Sequence, residues 1–246
     1  MLAADARTLW QLVRGISGPG DHGARLQRFY GPQAEHYDRF RERLLHGRRE
    51  LVVRLPVPPG GRVVELGGGT ARNLDYFGRR LERFAAVEVV DLCPALLDVG
   101  RRRTAGRANV AMVEADATRY RPRAAVDCVY FSYSLTMIPD WRRAIDNALE
   151  MLAPGGTLGV VDFYVAAARP APGLARHGAF TRWFWPRWFR HDGVRVSPEH
   201  LAYLRARAEE VHLAERRGRV PYLPGLTVPY YVFVGRKRGA RRTRER

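Results

Sequence analysis

The chain has 246 residues and a formal net charge of +17, from 42 Lys and Arg residues against 25 Asp and Glu residues. This length is sufficient for one α/β domain with a full core. Its two cysteines, Cys93 and Cys128, exclude a disulfide framework and favour a reducing compartment. No run approaches the roughly 18 apolar residues of a membrane span, and Asp5, Arg7 and Arg14 argue against a secretory signal. We therefore expect a cytoplasmic protein that is soluble or peripherally membrane-associated.

The spacing of apolar and turn residues predicts strands that alternate with helices. Residues 1–55 are expected to form a helical N-terminal cap, whose second helix runs from Tyr37 to Arg54 and ends before Pro56. Strands are expected at about 62–67, 84–91, 110–116, 126–133, 157–164, 210–219 and 229–236. Helices are expected between them, at about 70–81, 94–104, 141–152 and 197–208.

This alternation predicts an α/β fold. We expect a Rossmann-like, seven-stranded, mostly parallel sheet with an antiparallel last strand and helices on both faces. The main domain is expected to span 56–238, with an aromatic and basic insertion at 166–196 and a basic tail at 239–246. Ser197 is expected to cap the last helix, with Pro198 at its first position.

Three glycines, Gly67, Gly68 and Gly69, follow the first predicted strand and lead into a helix start. Glycine permits a tight turn and a close ligand approach, and N–H groups at a helix start favour an acceptor-rich ligand. A P-loop would need a Lys-Ser/Thr pair, which is absent beside Thr70. A dinucleotide fingerprint would need a third glycine where Arg72 stands. S-adenosylmethionine needs neither, because it has no pyrophosphate.

Acidic residues near three predicted strand ends favour S-adenosylmethionine as the ligand. Glu65, just before the glycines, is expected to order the turn or to meet the methionine ammonium. Asp91 ends the second strand, where an acid holds ribose hydroxyls. Asp116 ends the third strand, where the adenine amino group is expected, with Ala117 beside it. The alternative is that Asp91 and Asp116 are helix N-caps.

Four more side chains are candidates for the cofactor site. Asn73 lies in the first helical turn after the glycines, and Ser132 lies at the end of the fourth strand. Tyr37 and Arg43 of the N-terminal cap are expected to close over the methionine end, where a guanidinium can pair with a carboxylate. No metal site is predicted.

The insertion at 166–196 contains Trp183, Trp185 and Trp188 interleaved with arginines. A long segment of this kind inside a compact domain is typical of a lid or a binding element. Tryptophan beside arginine suits a membrane interface. The same aromatic residues can instead cover the pocket or pack on the sheet, so both interpretations stay open.

The positive charge also has two interpretations. Lys237 is the single lysine, so the arginine bias can reflect genome composition as much as function. The surplus of charge otherwise favours an anionic partner, either nucleic acid or a phospholipid surface.

Six blocks of the sequence match a known family: Arg39–Arg48, Val63–Thr70, Val90–Pro94, Tyr130–Trp141, Val161–Tyr164 and Val228–Gly235. They resemble the bacterial betaine-lipid N-methyltransferases, which are class I S-adenosylmethionine-dependent methyltransferases. The resemblance spans about residues 25–238, and Ala71 replaces the usual glycine. It implies three N-methylations of diacylglyceryl homoserine at an anionic membrane surface, without a nucleic-acid partner. The enzyme that makes the homoserine lipid is then an expected functional partner.

The chemistry that the resemblance implies is in-line attack of an amine on a methyl group, with no covalent intermediate. An α-amino group with a pKa of roughly 8 is mostly protonated at pH 7, so a proton acceptor is expected. Tyr133, Asp162 and His46 are the candidates. Structural alternatives are open for each, such as an arginine partner for Asp162 and a surface position for His46.

The trimethylated product carries a fixed cation, which aromatic faces accommodate. Tyr164, Tyr230 and Tyr231 lie near predicted strand ends and are candidates for this substrate site. Aromatic residues also favour strands, so strand core is the alternative.

Two other functions share the cofactor half of this prediction. A methyltransferase for a quinone or a soluble amine would act on water-soluble acceptors and ignore vesicles. An RNA methyltransferase would use the positive charge. However, enzymes that methylate base amino groups usually carry Asp/Asn-Pro-Pro-Tyr/Phe where Ser132–Leu135 stands here.

Overall fold

The computed structural model describes residues 21–31, 42–190, 193–221, 223 and 225–239. Their strands are β1 (Arg62–Leu66), β2 (Ala86–Asp91), β3 (Val110–Glu114), β4 (Val126–Ser132), β5 (Leu152–Phe163), β6 (Ala208–Arg219) and β7 (Thr227–Lys237). They form a seven-stranded sheet in the order β3-β2-β1-β4-β5-β7-β6. Neighbours among β1 to β5 are parallel, and β7 is antiparallel to both β5 and β6. This topology confirms the predicted Rossmann-like class with its antiparallel last strand.

Helices flank the sheet. The α-helices of the described residues are α1 (His22–Tyr30), α2 (Arg48–Arg54), α3 (Pro94–Arg103), α4 (Trp141–Met151), α5 (Ala179–Arg190) and α6 (Glu199–Arg207). Two 3₁₀ segments, Arg72–Arg83 and Leu135–Met137, follow β1 and β4. Across the described residues, no helix combines the length and the apolar character that crossing a bilayer requires.

Successive strand residues enter two separate apolar layers, because side chains alternate across a sheet. Val63 of β1 packs in the layer that contains α2 and the inner side of α5. Its neighbour Val64 packs in the layer that contains α4 and α6. Both faces are therefore covered, which explains the continuous apolar run in the central strands.

The N-terminal cap departs from the predicted pair of helices. Tyr37 and residues 1–20 of the predicted cap lie outside the described residues. The described part of the second helix breaks at Leu45–Gly47, where Gly47 has a left-handed φ of 79°. The helix α1 was not predicted as a separate element, although Asp21 caps it by accepting the Ala24 N–H at 2.8 Å.

Two other predicted helices differ in detail. The helix expected at 70–81 is a 3₁₀ segment that Gly78 interrupts with a φ of 54°. The last helix begins at Glu199 rather than at Pro198. Ser197 still acts near the expected position, because its Oγ accepts the Glu199 N–H at 3.1 Å.

The insertion at 166–196 is partly helical, since it contains α5. Thr181, Trp185 and Phe189 form the buried side of this helix. The indole N–H of Trp185 donates to the Thr227 carbonyl at 3.1 Å, which ties α5 to the start of β7. One side of the insertion is therefore core, as one of the two sequence interpretations expected.

Replacing Gly159 of β5 with alanine is expected to lower the free energy of unfolding by about 1–3 kcal/mol. A Cβ there would lie 2.6 Å from Leu55 Cδ2 and 3.1 Å from Leu51 Cδ1, so α2 would be displaced from the sheet. Chemical denaturation measures this loss. The control is Gly178→Ala, whose Cβ meets no described atom within 4 Å and which should change stability by less than about 0.5 kcal/mol. Equal stability of the two variants would contradict this packing.

Candidate active site

A cavity of about 360 Å³ opens at the carboxyl ends of the parallel strands. Its wall contains the glycine turn after β1, the end of β2, and the residues that follow β3 and β4. Leu26 and Tyr30 of α1 and Arg48 of α2 complete it on the N-terminal side. Open α/β sheets bind their ligands at this edge, so this cavity is the candidate active site.

The glycine turn is shaped by contacts within the protein. Gly67 and Gly69 have left-handed φ values of 71° and 52°. A Cβ on Gly67 would lie 2.4 Å from Ser134 Cβ, so only glycine fits there. The N–H groups of Gly67 and Gly68 donate to the Val90 carbonyl at 2.7 and 3.1 Å. These two N–H groups are therefore used within the protein, where they join the glycine turn to the end of β2.

Asp91 joins the glycine turn to the cavity. Its Oδ2 accepts the Gly69 N–H at 2.8 Å, and its Oδ1 accepts the Cys93 N–H at 2.9 Å. Burial raises the pKa of this carboxyl, while the two donated hydrogen bonds act in the opposite direction. Asp91 lines the cavity with each oxygen positioned by a backbone donor, which leaves further lone pairs for ligand hydroxyls.

Asp116 lies on the cavity wall after β3, with Ala117 beside it. Its Oδ1 accepts both the N–H and the hydroxyl of Thr118 at 2.8 Å, so Oδ2 is the atom available to a ligand amino group. The amide of Asn147 donates to the Ala117 carbonyl at 2.8 Å and fixes this turn. The contacts of Asp91 and Asp116 make both of them local caps as well as cavity residues.

Glu65 lies below the turn rather than on the cavity wall, and it is fully buried. Its two oxygens accept hydrogen bonds from Asn73 Nδ2 at 2.6 Å and from the Tyr130 hydroxyl at 2.8 Å. Asn73 Oδ1 in turn lies 3.4 Å from Arg48 Nη1. Of the two roles expected for Glu65, these contacts correspond to ordering the turn. Burial raises the pKa of Glu65 to about 7, against the opposing effects of Asn73, Tyr130 and Arg48.

Two residues at the end of β4 line the cavity. The Ser132 hydroxyl is buried and has no hydrogen-bond partner among the described residues. Tyr133 adopts a left-handed φ of 55°, which is rare for a residue with a side chain. Its hydroxyl donates to the His46 carbonyl at 2.7 Å, and burial raises its pKa well above the usual range. Tyr133 therefore remains a neutral phenol in the cavity wall.

The other two predicted proton acceptors do not line the cavity formed by the described residues. Asp162 is fully buried and accepts hydrogen bonds from the N–H and hydroxyl of Thr136 and from the Phe163 N–H. Burial raises its pKa to about 7, against those bonds. His46 donates from Nε2 to the Arg219 carbonyl at 2.9 Å. Both side chains hold loops in place, so their placement argues against the expected catalytic role.

The three predicted substrate tyrosines also lie away from the cavity. Tyr164 and Tyr231 are fully buried and pack edge to face, with ring centroids 5.5 Å apart. Tyr230 points to the opposite face, because adjacent strand residues alternate. Its ring lies against His46, with centroids 6.0 Å apart. All three are core residues, which was the structural alternative.

The N-terminal side of the cavity differs from the expected Tyr37 and Arg43. Tyr37 lies outside the described residues, and Arg43 is exposed and away from the cavity. Arg48 takes this side instead, with its Nε donating to the Leu45 carbonyl at 3.2 Å. Arg48 was not among the predicted site residues, although it ends one of the matched blocks. Burial distinguishes Arg48 from the exposed arginines. Its charge alone could not identify it in a sequence with so many arginines.

The wall residues fit S-adenosylmethionine. The N–H groups of the glycine turn are already hydrogen-bonded to Val90 and Asp91, so they suit a nucleoside that has no pyrophosphate to bind. Asp91 and Asp116 supply acceptors for its hydroxyl and amino groups. The orphan hydroxyl of Ser132 needs a polar ligand, since a buried polar group without a partner is unfavourable. Arg48 offers a cation to a carboxylate.

The fold and this site define a class I S-adenosylmethionine-dependent methyltransferase. The chain belongs to the family described as "Methyltransferase domain", whose profile matches residues 37–218.

Known relatives agree with this class. A curated relative from Pseudomonas entomophila, the ubiquinone/menaquinone biosynthesis C-methyltransferase UbiE, is 31% identical over 139 residues, which cover 53% of this chain and 54% of the relative. The chain thus spans about half the length of this relative. The methyltransferase solved with the Haloferax volcanii Trm112 activator has a TM-score of 0.68 at 16% identity, over 87% of this chain and 98% of that one. The N-methyltransferase NodS of Bradyrhizobium japonicum, solved with S-adenosylhomocysteine, has a TM-score of 0.55 at 19% identity, over 94% and 98%. The two structures share the fold.

Replacing Asp91 with alanine is expected to weaken S-adenosylmethionine binding about ten- to a hundredfold, because hydrogen bonds to a charged acceptor are lost. Isothermal titration calorimetry measures the dissociation constant. The control is Asp98→Ala on α3, which removes an exposed carboxylate that pairs with Arg101 and should leave the affinity unchanged. Undiminished affinity of the Asp91 variant would refute the assignment of Asp91 to the cofactor.

Replacing Glu65 with glutamine is expected to flatten the pH dependence of stability. The pKa of Glu65 is about 7 in the fold against an ordinary 4.5, so the folded chain binds more protons between these values. The free energy of unfolding therefore falls as pH rises from about 4.5 to about 7 and levels off above. Asp162 adds to this slope in the same direction.

Urea denaturation at a series of pH values measures the slope in wild type and in the Glu65→Gln variant. The control is Glu82→Gln, which removes an exposed carboxylate with the same change in net charge. The control should keep the wild-type slope, and the slope of the Glu65 variant should be shallower but not zero, since Asp162 and Asp91 also have raised pKa values. Identical slopes in all three proteins would contradict the buried position of Glu65.

Proposed function

We propose that the protein transfers methyl groups from S-adenosylmethionine to the amino group of diacylglyceryl homoserine, giving the trimethylated betaine lipid in three steps. The whole reaction, including its lipid acceptor, is a proposal that builds on the methyltransferase class.

The observation that carries this proposal is where the matched sequence blocks lie. Four of the six blocks that resemble betaine-lipid methyltransferases contribute residues to the cavity wall. They supply Arg48, the glycine turn, Asp91 and the stretch from Ser132 to Asp140. The resemblance is therefore concentrated at the site of chemistry. A likeness confined to the core strands would indicate only the common fold.

The wall provides separate places for the cofactor and for an amino-acid headgroup. Bound S-adenosylmethionine would be held by Asp91 and Asp116 and would supply an electrophilic methyl group. Arg48 lies at the N-terminal side with Leu26 and Tyr30, where a carboxylate and an apolar stem can both be accommodated. Met137 ends the 3₁₀ turn that follows β4, Ile138 comes just after it, and both extend the apolar wall. This mixture of one buried cation with aliphatic surface suits a zwitterionic headgroup on a lipid.

Orientation of the amine is the role that we assign to Tyr133. The Tyr133 hydroxyl donates its hydrogen to the His46 carbonyl, so the phenol oxygen can accept a hydrogen bond from an amine N–H. Its raised pKa keeps it from acting as a phenolate base. Tyr133 lines the cavity, and an aromatic ring beside the amine would suit a group that becomes a fixed cation.

A second candidate function is C-methylation of a quinone. The 31% identity to UbiE over 139 residues favours it. A quinone precursor has no amino group, so it would leave the Tyr133 phenol oxygen without an N–H donor. The lipid amine uses more of the polar groups on the wall, and we therefore prefer it.

Incubating the purified protein with deuterium-labelled S-adenosylmethionine and detergent-dispersed diacylglyceryl homoserine tests the proposal. Mass spectrometry of the lipid is expected to show products with one, two and three added methyl groups. The Asp91→Ala variant should lose most of this activity at limiting cofactor, because cofactor binding is weakened.

Parallel reactions with a demethylated quinone, free homoserine and a short RNA separate the alternatives. Methylation of the quinone but not of the lipid amine would replace the proposal by the second candidate. Methylation of free homoserine at the rate of the lipid would show that the acyl chains are not recognised. No methylation of the lipid under any condition would overturn the proposal.

A further inference from the structure

The outward side of α5 carries an unusual stripe of aromatic residues. Phe180, Trp183, Phe184 and Trp188 follow a spacing of three and four residues, so they share one face of the helix. The rings of Phe180, Phe184 and Trp188 are stacked in sequence, with centroid distances of 5.2 and 5.6 Å. These four residues are called the outer aromatic stripe below.

The outer aromatic stripe has three solvent-exposed rings, and its fourth ring, Phe184, is partly buried against the core. Phe180, Trp183 and Trp188 expose 57%, 54% and 43% of their surface. The other large apolar side chains that are exposed among the described residues are single valines, Val53 and Val211. The exposed aromatic surface of the described chain is therefore gathered on one helix, and an exposed apolar patch of this kind marks an interaction surface.

The surroundings of the stripe are positively charged. From Phe163 to His191 the sequence contains no acidic residue and five arginines: Arg169, Arg176, Arg182, Arg187 and Arg190. The Arg187 guanidinium lies over the Trp183 ring, 5.2 Å from its centroid. Aromatic rings bounded by guanidinium groups match the depth profile of a bilayer surface, where rings lie at headgroup level and cations meet phosphates.

The inner side of the same helix reaches the cavity wall through stacked rings. Phe189 of α5 stacks on Phe163 with ring centroids 4.7 Å apart. Phe163 in turn packs edge to face on Tyr133, with ring centroids 4.5 Å apart. Tyr133 lines the cavity. One rigid helix therefore joins the exposed stripe to the site of chemistry.

We propose that the outer aromatic stripe of α5 is the surface through which this protein binds an anionic lipid bilayer. The aromatic rings insert at headgroup level, and the arginines of the insertion pair with lipid phosphates. A second copy of the chain is the less favourable occupant, since a symmetric contact would bring the same arginines together. The binding concerns bulk anionic lipid and is independent of which acceptor is methylated.

Cosedimentation with vesicles of phosphatidylglycerol and phosphatidylcholine tests this surface, with pure phosphatidylcholine vesicles as the neutral comparison. The triple variant Phe180→Ser, Trp183→Ser, Trp188→Ser is expected to lower partitioning to anionic vesicles about tenfold or more. The matched control is Val53→Ser with Val211→Ser, which removes exposed apolar side chains elsewhere and should bind like wild type. Trp185 is buried, so it is left unchanged in all variants.

Two further variants test the electrostatic and geometric parts. Arg187→Gln with Arg190→Gln should weaken binding to anionic vesicles, whereas Arg49→Gln with Arg79→Gln, which removes two exposed arginines elsewhere, should weaken it less. Wild type is expected to show a blue shift of tryptophan emission on vesicles, and Trp183→Phe with Trp188→Phe should retain binding but lose that shift. Circular dichroism and cofactor calorimetry confirm that each variant is folded.

Wild-type partitioning by the triple variant would overturn the proposal, as would failure of wild type to bind anionic vesicles. Dimerisation of wild type that the triple variant abolishes, without vesicle binding, would assign the stripe to a second copy. These results are separate from the methylation assay. A wrong acceptor leaves vesicle binding intact, and a wrong surface leaves methylation of detergent-dispersed lipid intact.

Discussion

The candidate site depends on a carboxylate that never contacts the cavity. Glu65 is buried below the glycine turn and receives hydrogen bonds from Asn73 and Tyr130. These bonds join β1, the 3₁₀ segment and β4 at the point where the three meet. A buried polar group of this kind is favourable only when its partners are in place, so it selects one arrangement of the turn. The glycines above it then bond to Val90 and Asp91 and present an acceptor-lined crevice.

Much of the fold could be predicted from the sequence because the central strands are apolar on both faces. Such runs indicate parallel strands covered by helices, and the acids at the ends of β2 and β3 then fall at one edge of the sheet. Asp91, Asp116, Ala117 and Ser132 line the cavity for this topological reason. Strand order alone brings them together, and no knowledge of side-chain packing is needed.

The residues whose roles were predicted wrongly are those whose positions depend on side-chain packing. Tyr230 and Tyr231 are neighbours, and the strand register decides which face each enters. From the sequence, Asp162 is a candidate proton acceptor. The structure shows that it instead accepts three hydrogen bonds, from the N–H and hydroxyl of Thr136 and from the Phe163 N–H. Arg48 differs from the other arginines only in its burial. The helix α5 was hidden because both of its sides are aromatic, which removes the contrast between polar and apolar faces that marks an amphipathic helix.

That double-sided character of α5 has a consequence for how far a lipid must travel. An α-helix with its side chains is about 10–12 Å across, and this thickness separates the outer stripe from Phe189, which reaches Tyr133 through Phe163. With the stripe on a bilayer, a headgroup would have to rise by about one helix width and these two ring contacts, while its acyl chains stay among their neighbours. Complete extraction would expose every methylene to water at about 0.8 kcal/mol each. If both proposals hold, the helix would act as a spacer that keeps the site within reach of a lipid still anchored in its leaflet.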